Sequence, residues 1–283
     1  MILVTGAGGN VGGEVLKQLR AAGAPVRGAF HNAKKMEEAR AQGIDAVEFD
    51  YADRGSIADA LKGVDQVFLV VATLPNQSEL EKNVAEECKK AGVKHIVKLS
   101  VLDCDKQDYI FARWHRAGEH AIEMVGLAHT FLRPTGFMQN FVNYSASTIK
   151  GEGAIYAPGE LPHSAVDVRD IAAVAVKVLT ESGHERKSYD LTGPAVLTNS
   201  EAAKTIGDAI GKPVKFVQIP WEAFRQGALD AGMPEFYVEA LVDLDRLYAA
   251  GKATRVSDDI RKVTGREPHS FEEFVRDNVQ AFQ

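Results

Sequence analysis

The chain has 283 residues, 45% of them hydrophobic and 25% charged, which is enough to bury the core of one large domain or of a nucleotide domain with a smaller lobe. Its formal net charge of −6 argues against a nucleic-acid partner, which calls for a basic face. No cationic leader and no apolar run of about twenty residues occurs, which argues against export and membrane insertion, and two cysteines, Cys88 and Cys104, make no disulfide framework and fit a reducing cytoplasm.

The apolar run Ile2-Leu3-Val4-Thr5 predicts a buried strand and leads straight into Gly6, Gly9 and Gly12, spaced G-x-x-G-x-x-G. A helix is predicted over 11–22, with Val15, Leu16, Leu19 and Ala22 on one face. Strand, glycine turn and helix together aim backbone N–H groups and a helix N-terminus at a phosphate. A glycine triplet alone marks any tight turn, but this strand-to-helix context predicts a dinucleotide site made by Gly6, Gly9, Asn10, Val11 and Gly12.

Further strands are predicted at 26–30, 46–49, 66–71, 95–99 and 130–133, alternating with helices at 33–42, 56–62, 77–91 and 110–126. Gly23, Gly43, Gly63, Gly92 and Gly126 each follow a helix where a left-handed cap is expected. The alternation is that of an α/β, Rossmann-type, doubly wound parallel sheet. On the 77–91 helix, Leu80, Val84, Cys88 and Ala91 form one stripe, so Cys88 reads as core. Cys104 lies in a polar segment and reads as a surface thiol.

After about residue 135 the rhythm changes. A helix at 137–149 precedes a Gly/Pro-rich stretch, 150–162, that cannot be one regular element. Val166 to Ala172 opens another helix, with Asp170 near its N-terminus, and a strand follows at 188–191. Helices are predicted at 199–210, 221–231, 234–249 and 270–281, with one strand at 214–218. No clean linker appears. The organisation expected is a Rossmann domain over 1–150, with the rest of the sheet interwoven with a small, helix-rich C-terminal lobe over 151–283.

A carboxylate at the end of the second strand would bond the ribose hydroxyls of NAD(H). Here the sequence is Ala29-Phe30-His31-Asn32, followed by Lys34 and Lys35. That favours NADP(H) over NAD(H), with His31 and Lys35 on the 2′-phosphate, although two such lysines also suit a solvated helix face. Asp50 and Tyr51 follow the third strand at the height of an adenine ring; Asp50 suits an adenine amino group or a turn equally. Val71, Ala72, Thr73 and Leu74 end the fourth strand beside the switch point, where Thr73 can bond a cofactor or cap the next segment. Ser100 ends the fifth strand and is a candidate for cofactor binding and catalysis.

His115 and Glu119 stand one helical turn apart. His115 is a candidate proton donor, weighed against a buried structural histidine, and Glu119 reads as a helix-face or orienting group and not a catalyst. Pro134 and Gly136 bring the chain across the cofactor, with Pro134 and Thr135 as cofactor-binding candidates, and Phe137, Met138 and Phe141 with Trp114 offer either an apolar substrate wall or plain core. No metal-ligand spacing is present.

Several stretches together carry a family resemblance: Val4-Thr5-Gly6-Ala7-Gly8-Gly9-Asn10-Val11-Gly12, Ala91-Gly92-Val93-Lys94-His95-Ile96-Val97, Trp114-His115-Arg116-Ala117-Gly118-Glu119, and Leu132 through Phe141. Asp167 to Ala172 and Tyr189 to Pro194 add to it. The chain resembles the NmrA-like group of atypical short-chain dehydrogenases/reductases, with the look of its triphenylmethane reductase, azoreductase and quinone reductase branch. The resemblance implies a sheet of order 3-2-1-4-5-6-7 and a substrate cleft under the small lobe.

Two departures stand out. The Tyr-x-x-x-Lys pair of typical short-chain dehydrogenases falls on Phe111 and His115, and His31 stands where related NADP(H) binders carry Arg. The missing tyrosine disfavours alcohol oxidation. It suits direct hydride transfer to a planar, apolar electrophile such as a quinone, an azo or triphenylmethane dye, or an imine. The alternative is a regulatory member of the group that senses the nucleotide without turnover. Neither the substrate's identity nor the oligomeric state carries a readable motif.

Overall fold

Ile2, Leu3 and Val4 are all buried, and this short strand lies in the middle of a seven-stranded sheet. In the computed structural model, which describes residues 1–283, the elements alternate as the sequence predicts through the first half. They run β1 (Ile2–Val4), α1 (Asn10–Ala21), β2 (Val26–Phe30), α2 (Ala33–Ala41), β3 (Asp45–Glu48), α3 (Arg54–Ala60), β4 (Gln66–Leu69), α4 (Gln77–Ala91), β5 (His95–Leu99), α5 (Ile110–Val125) and β6 (Ala128–Pro134). There follow α6 (Ala146–Glu152), β7 (Ala154–Ala157), α7 (Val168–Thr180), β8 (Lys187–Leu191), α8 (Asn199–Ile210), β9 (Lys215–Gln218), α9 (Trp221–Asp230), α10 (Glu235–Ala249), α11 (Asp259–Thr264) and α12 (Phe271–Asp277).

The large sheet has the order β3-β2-β1-β4-β5-β6-β8, and the pairs from β3 through β6 are parallel. The order reverses between β1 and β4, the switch point at which doubly wound sheets bind ligands. β5 is buried along its whole length, as expected of a strand covered on both faces. The five cap glycines all adopt positive φ, from 72° at Gly43 to 80° at Gly126.

The chain forms two compact units. The first comprises residues 1–133 and 168–190, the second residues 134–167 and 191–283. The first has a core that includes Leu3, Phe49, Ile57, Val67, Val84, Cys88, Ile96 and Ile122. In it α1 packs against α7, and α4 against α5. The second unit is helical apart from the two-stranded parallel sheet of β7 and β9, and its core includes Met138, Phe141, Ile206, Phe274 and Phe282. No helix is long and apolar enough to cross a membrane.

Several expectations need correction. The 150–162 stretch is not one regular element, as expected, but besides the end of α6 it holds an unexpected strand, β7, whose partner β9 lies far along the chain. The helix expected from 137 begins only at Phe141, as a five-residue π turn leading into α6. Residues just before it are tied elsewhere, because Phe137 bridges Val166 and the Met138 N–H donates to the Val166 carbonyl at 2.9 Å. The helix expected at 270–281 breaks after Asp277 into a short 3₁₀ turn, and α11 had no counterpart in the sequence reading.

Candidate active site

The glycine loop is shaped by contacts at each of its ends. Thr5 is anchored to β4, its Oγ1 accepting from the Val70 N–H at 2.9 Å and donating to the Val70 carbonyl at 3.1 Å. Gly6 then turns with φ of 58°, a conformation that costs a side-chain-bearing residue free energy. The Gly9 N–H closes the turn on the Gly6 carbonyl at 2.9 Å, and Gly9 is the extended N-cap of α1. A Cβ on Gly12 would overlap that same Gly6 carbonyl, so only glycine lets the helix start this close to the strand. No side chain caps α1 and no acidic residue occupies its first turn. Its positive end is therefore open to an anion.

Beside this loop, Asn32 caps α2 by accepting from the Lys35 N–H, and Lys35 Nζ reaches back to the Gly8 carbonyl at 2.7 Å. His31 is exposed, whereas the Lys34 ammonium pairs with Glu38 at 4.0 Å. Of the cationic groups at 31–35, Lys35 is thus the one held against the glycine loop. Asp50 is exposed and its carboxylate accepts from the Ala52 N–H, the geometry of an Asx turn. The Tyr51 hydroxyl donates to the Val70 carbonyl at 2.6 Å, and burial pushes it up to about 12. Val71 is buried, Ala72 exposed, and Thr73 and Leu74 half-buried; Asn76, not Thr73, stands at the N-cap of α4.

Ser100, expected at the end of β5, is buried. Its hydroxyl faces Cys104 Sγ at 3.6 Å, and the thiol in turn donates to Glu119 Oε1 at 3.2 Å. Cys104 is therefore not a surface thiol: it is fully buried, and burial followed by the Glu119 charge pushes it up to about 12. A thiol so poor in thiolate is inert. Glu119 is fully buried as well. Burial works against its ionisation, yet two bonds from Arg133, at 2.9 and 2.7 Å, hold the carboxyl below its usual range. Arg116 adds a third, at 3.2 Å. The bidentate Arg133 contact fixes the carboxylate in place, so Glu119 is engaged by Arg133, Arg116 and Cys104 and not by His115, one turn away.

His115 belongs to a second buried network. Lys98, the one charged side chain of β5 and itself fully buried, donates from Nζ to the Leu99 carbonyl, to Glu81 Oε1 and to His115 Nδ1, each at 3.0 Å. Gln77 Nε2 lies 3.0 Å from the same Nδ1 and 3.0 Å from Glu81 Oε1. An ammonium has no acceptor capacity, so Nδ1 must offer its lone pair, and the imidazole carries its proton on Nε2. Burial first, and then the Lys98 charge, push His115 well below the ordinary histidine range. Burial likewise pushes Glu81 up, with Lys98 and Gln77 opposing.

Sequence reasoning did not find Gln77, Glu81 or Lys98. A signal was present: Lys98 interrupts an apolar strand, and Gln77 and Glu81 share the buried face of α4 with Val84 and Cys88. A charge on a buried face asks for a partner.

In the second unit, the Thr135 hydroxyl donates to the Ser164 carbonyl at 2.6 Å and its N–H to the Leu191 carbonyl at 3.0 Å, and Pro134 is buried. Met138 and Phe141 pack inward, Phe141 edge-on against Phe271 at 5.0 Å. Phe137, and in the first unit Trp114, are only half-buried. No group of metal-ligating side chains is assembled.

A seven-stranded parallel sheet in which the interior strand β1 opens through a glycine turn into an uncapped helix defines a nucleotide-binding protein of the Rossmann class. The chain belongs to the NmrA-like family, whose profile matches residues 1–275. It is 36% identical to the NAD(P)H azoreductase of Xenophilus azovorans, over all of this chain and 99% of that one. Among solved structures, the triphenylmethane reductase of Citrobacter sp. complexed with NADP(H) is similar, with a TM-score of 0.85 and 29% identity, covering 98% of this chain and 99% of that one. An NADPH-dependent quinone oxidoreductase of Escherichia coli complexed with NADPH has a TM-score of 0.87 and 28% identity, covering 97% and 98%.

Proposed function

We propose that this chain is an NAD(P)H-dependent reductase that passes a hydride directly to a planar, apolar, electron-poor small molecule of the quinone or dye type, with NADPH the preferred donor. The observation that carries this reading is the loop from Gly6 to Gly12, with the open end of α1 behind it and Lys35 alongside. These residues fit a dinucleotide: Gly6, Gly9, Asn10, Val11 and Gly12 would hold the pyrophosphate, and Lys35 with His31 the 2′-phosphate. Full-length similarity to reductases that use NADP(H) or NAD(P)H supports the same reading.

A bound NADPH supplies the hydride, which is the demanding part of the chemistry. The chain's own residues bind, align and exclude water. His115 takes a limited part. As a neutral imidazole with Nε2 free of protein partners, it offers a hydrogen bond to an acceptor atom of the substrate, such as a quinone oxygen or an azo nitrogen, and the completing proton comes from solvent. Trp114 supplies apolar surface, and Ser100, Asp50, Tyr51 and residues 71–74 frame the cofactor. Two free, buried cysteines and a net charge of −6 favour a cytoplasmic enzyme without a nucleic-acid partner.

Anaerobic NADPH consumption, followed with a panel of quinones, azo dyes and triphenylmethane dyes, tests the proposal. Turnover of at least one class is expected. Tight NADPH binding with no turnover of any would leave the nucleotide sensor in its place.

A further inference from the structure

The network around His115 is costly. Lys98 and Glu81 are withdrawn from water into the space between β5, α4 and α5. Gln77 Oε1 and Glu81 Oε2 are buried without any donor. Position 118, in the middle of α5, is held by a glycine because a Cβ there would overlap Glu81 Oε2. Apolar residues of similar volume usually stabilise such a place better than a buried ion pair, and each orphaned acceptor costs about 1–3 kcal/mol. Stability does not explain the arrangement. What the arrangement acts on is His115: two donors from two different elements converge on Nδ1, and both hydrogen bonds of the ring are made there, none at Nε2.

We propose that Lys98, seated by Glu81 and Gln77, is a positioning residue that locks His115 as the neutral tautomer with its proton on Nε2, so that the site offers a hydrogen bond and never an imidazolium. This rests on the reading of His115 as the group that meets the substrate. The charged groups facing the imidazole are few. From β5 comes Lys98, from α4 Glu81, and on α5 Glu119 is already engaged by Arg133 and Arg116. The cation nearest Nδ1 therefore adds to burial in keeping the ring neutral, and the one carboxylate on this network, Glu81, is paired through Oε1 with that same cation. Hydride addition to a quinone leaves the negative charge on an oxygen that Nε2–H can stabilise, and solvent then protonates that oxygen. A site of this kind acts without dependence on a titrating histidine.

The test is NMR of the protein labelled with 15N in histidine, the His115 signals being identified by their loss in His115→Asn. The expected result is a neutral Nε2–H imidazole across pH 6 to 8. In Lys98→Met, Gln77 is left as the one donor on Nδ1 and proton affinity should rise at least tenfold, toward the ordinary histidine value of about 6.5. Lys98→Gln keeps a donor without the charge. It should retain the tautomer yet show the tenfold rise, and it carries the test should Lys98→Met fail to fold. A wild-type His115 that titrates near 6.5, or carries its proton on Nδ1, or is unmoved in both variants, overturns the proposal. These spectra need no turnover, so they stand apart from the reductase reading. In the active enzyme, the pH profile of kcat should be flat from about 6 to 8 in the wild type and gain an inflection in Lys98→Gln.

Discussion

Gly118 leaves the space that the Glu81 carboxylate fills, and a single methyl group at that position would collide with Oε2. The relationship reverses the usual effect of alanine in a helix. Gly118 lies inside α5, where replacing glycine by alanine ordinarily stabilises by about 0.5–1 kcal/mol. Here Gly118→Ala must expel a buried carboxylate from its ammonium partner, a break worth about 3 kcal/mol or more. Urea unfolding should show Gly118→Ala destabilised by about that amount. Gly151→Ala, with open space around the new methyl group, should be neutral or slightly stabilised.

Gly12→Ala addresses the nucleotide site itself. The new Cβ meets backbone, the Gly6 and Thr5 carbonyls, so relief requires α1 to back away from the loop. Fluorescence titration should show NADPH affinity reduced at least tenfold. Gly8→Ala meets the flexible stem of Lys35 and, at ordinary contact distance, the Phe30 ring, and should cost much less.

Lys35 is expected to separate the two cofactors. Lys35→Ala removes a cation that the structure holds at the glycine loop. NADPH affinity should fall about tenfold, matching about 1.5 kcal/mol for a hydrogen bond to a charged group. NADH affinity should hardly change. Equal losses for both would place Lys35 away from the 2′-phosphate.

The sheet and the nucleotide loop were legible in the sequence because their signals are local. Strand, turn and helix from Ile2 to Ala21 are contiguous, and a left-handed glycine cap announces itself at one position. The surroundings of His115 were not legible, because Lys98 and Gln77 approach it from β5 and α4, 17 and 38 positions away along the chain. Cys104 was misread for the same reason: its polar neighbours in sequence suggested exposure, whereas Glu119 and Ser100 enclose it in space. β7 escaped notice because a four-residue strand among Gly and Pro is defined by its partner β9 more than by its own composition.

Stability should depend on pH through Asp245 on α10. Burial raises this carboxyl to about 7, far above the value of about 3.9 in an unfolded chain. A folded-state value above the unfolded one means that the native state favours the neutral acid. The penalty therefore appears as pH rises from about 4 and is complete above about 7. Asp245→Asn removes the titrating group. It should raise the Tm at pH 8 clearly more than at pH 5, as read by thermal scans at both values. A lower Tm at pH 8 would show that the ionised carboxylate has a native partner.

Direct hydride transfer from a bound nicotinamide to an electrophilic substrate leaves an isotopic trace. Incubation of the protein with NADPH deuterated at both C4 positions and a triphenylmethane dye, a quinone and an azo dye in separate reactions tests it most directly. Unlabelled NADPH should be consumed faster than deuterated NADPH with at least one acceptor. Where the dye is a triphenylmethane, deuterium should appear on the central carbon of the leuco product by mass spectrometry, because that C–H bond does not exchange with water. A leuco product free of deuterium, or bound NADPH that no acceptor consumes, would contradict it.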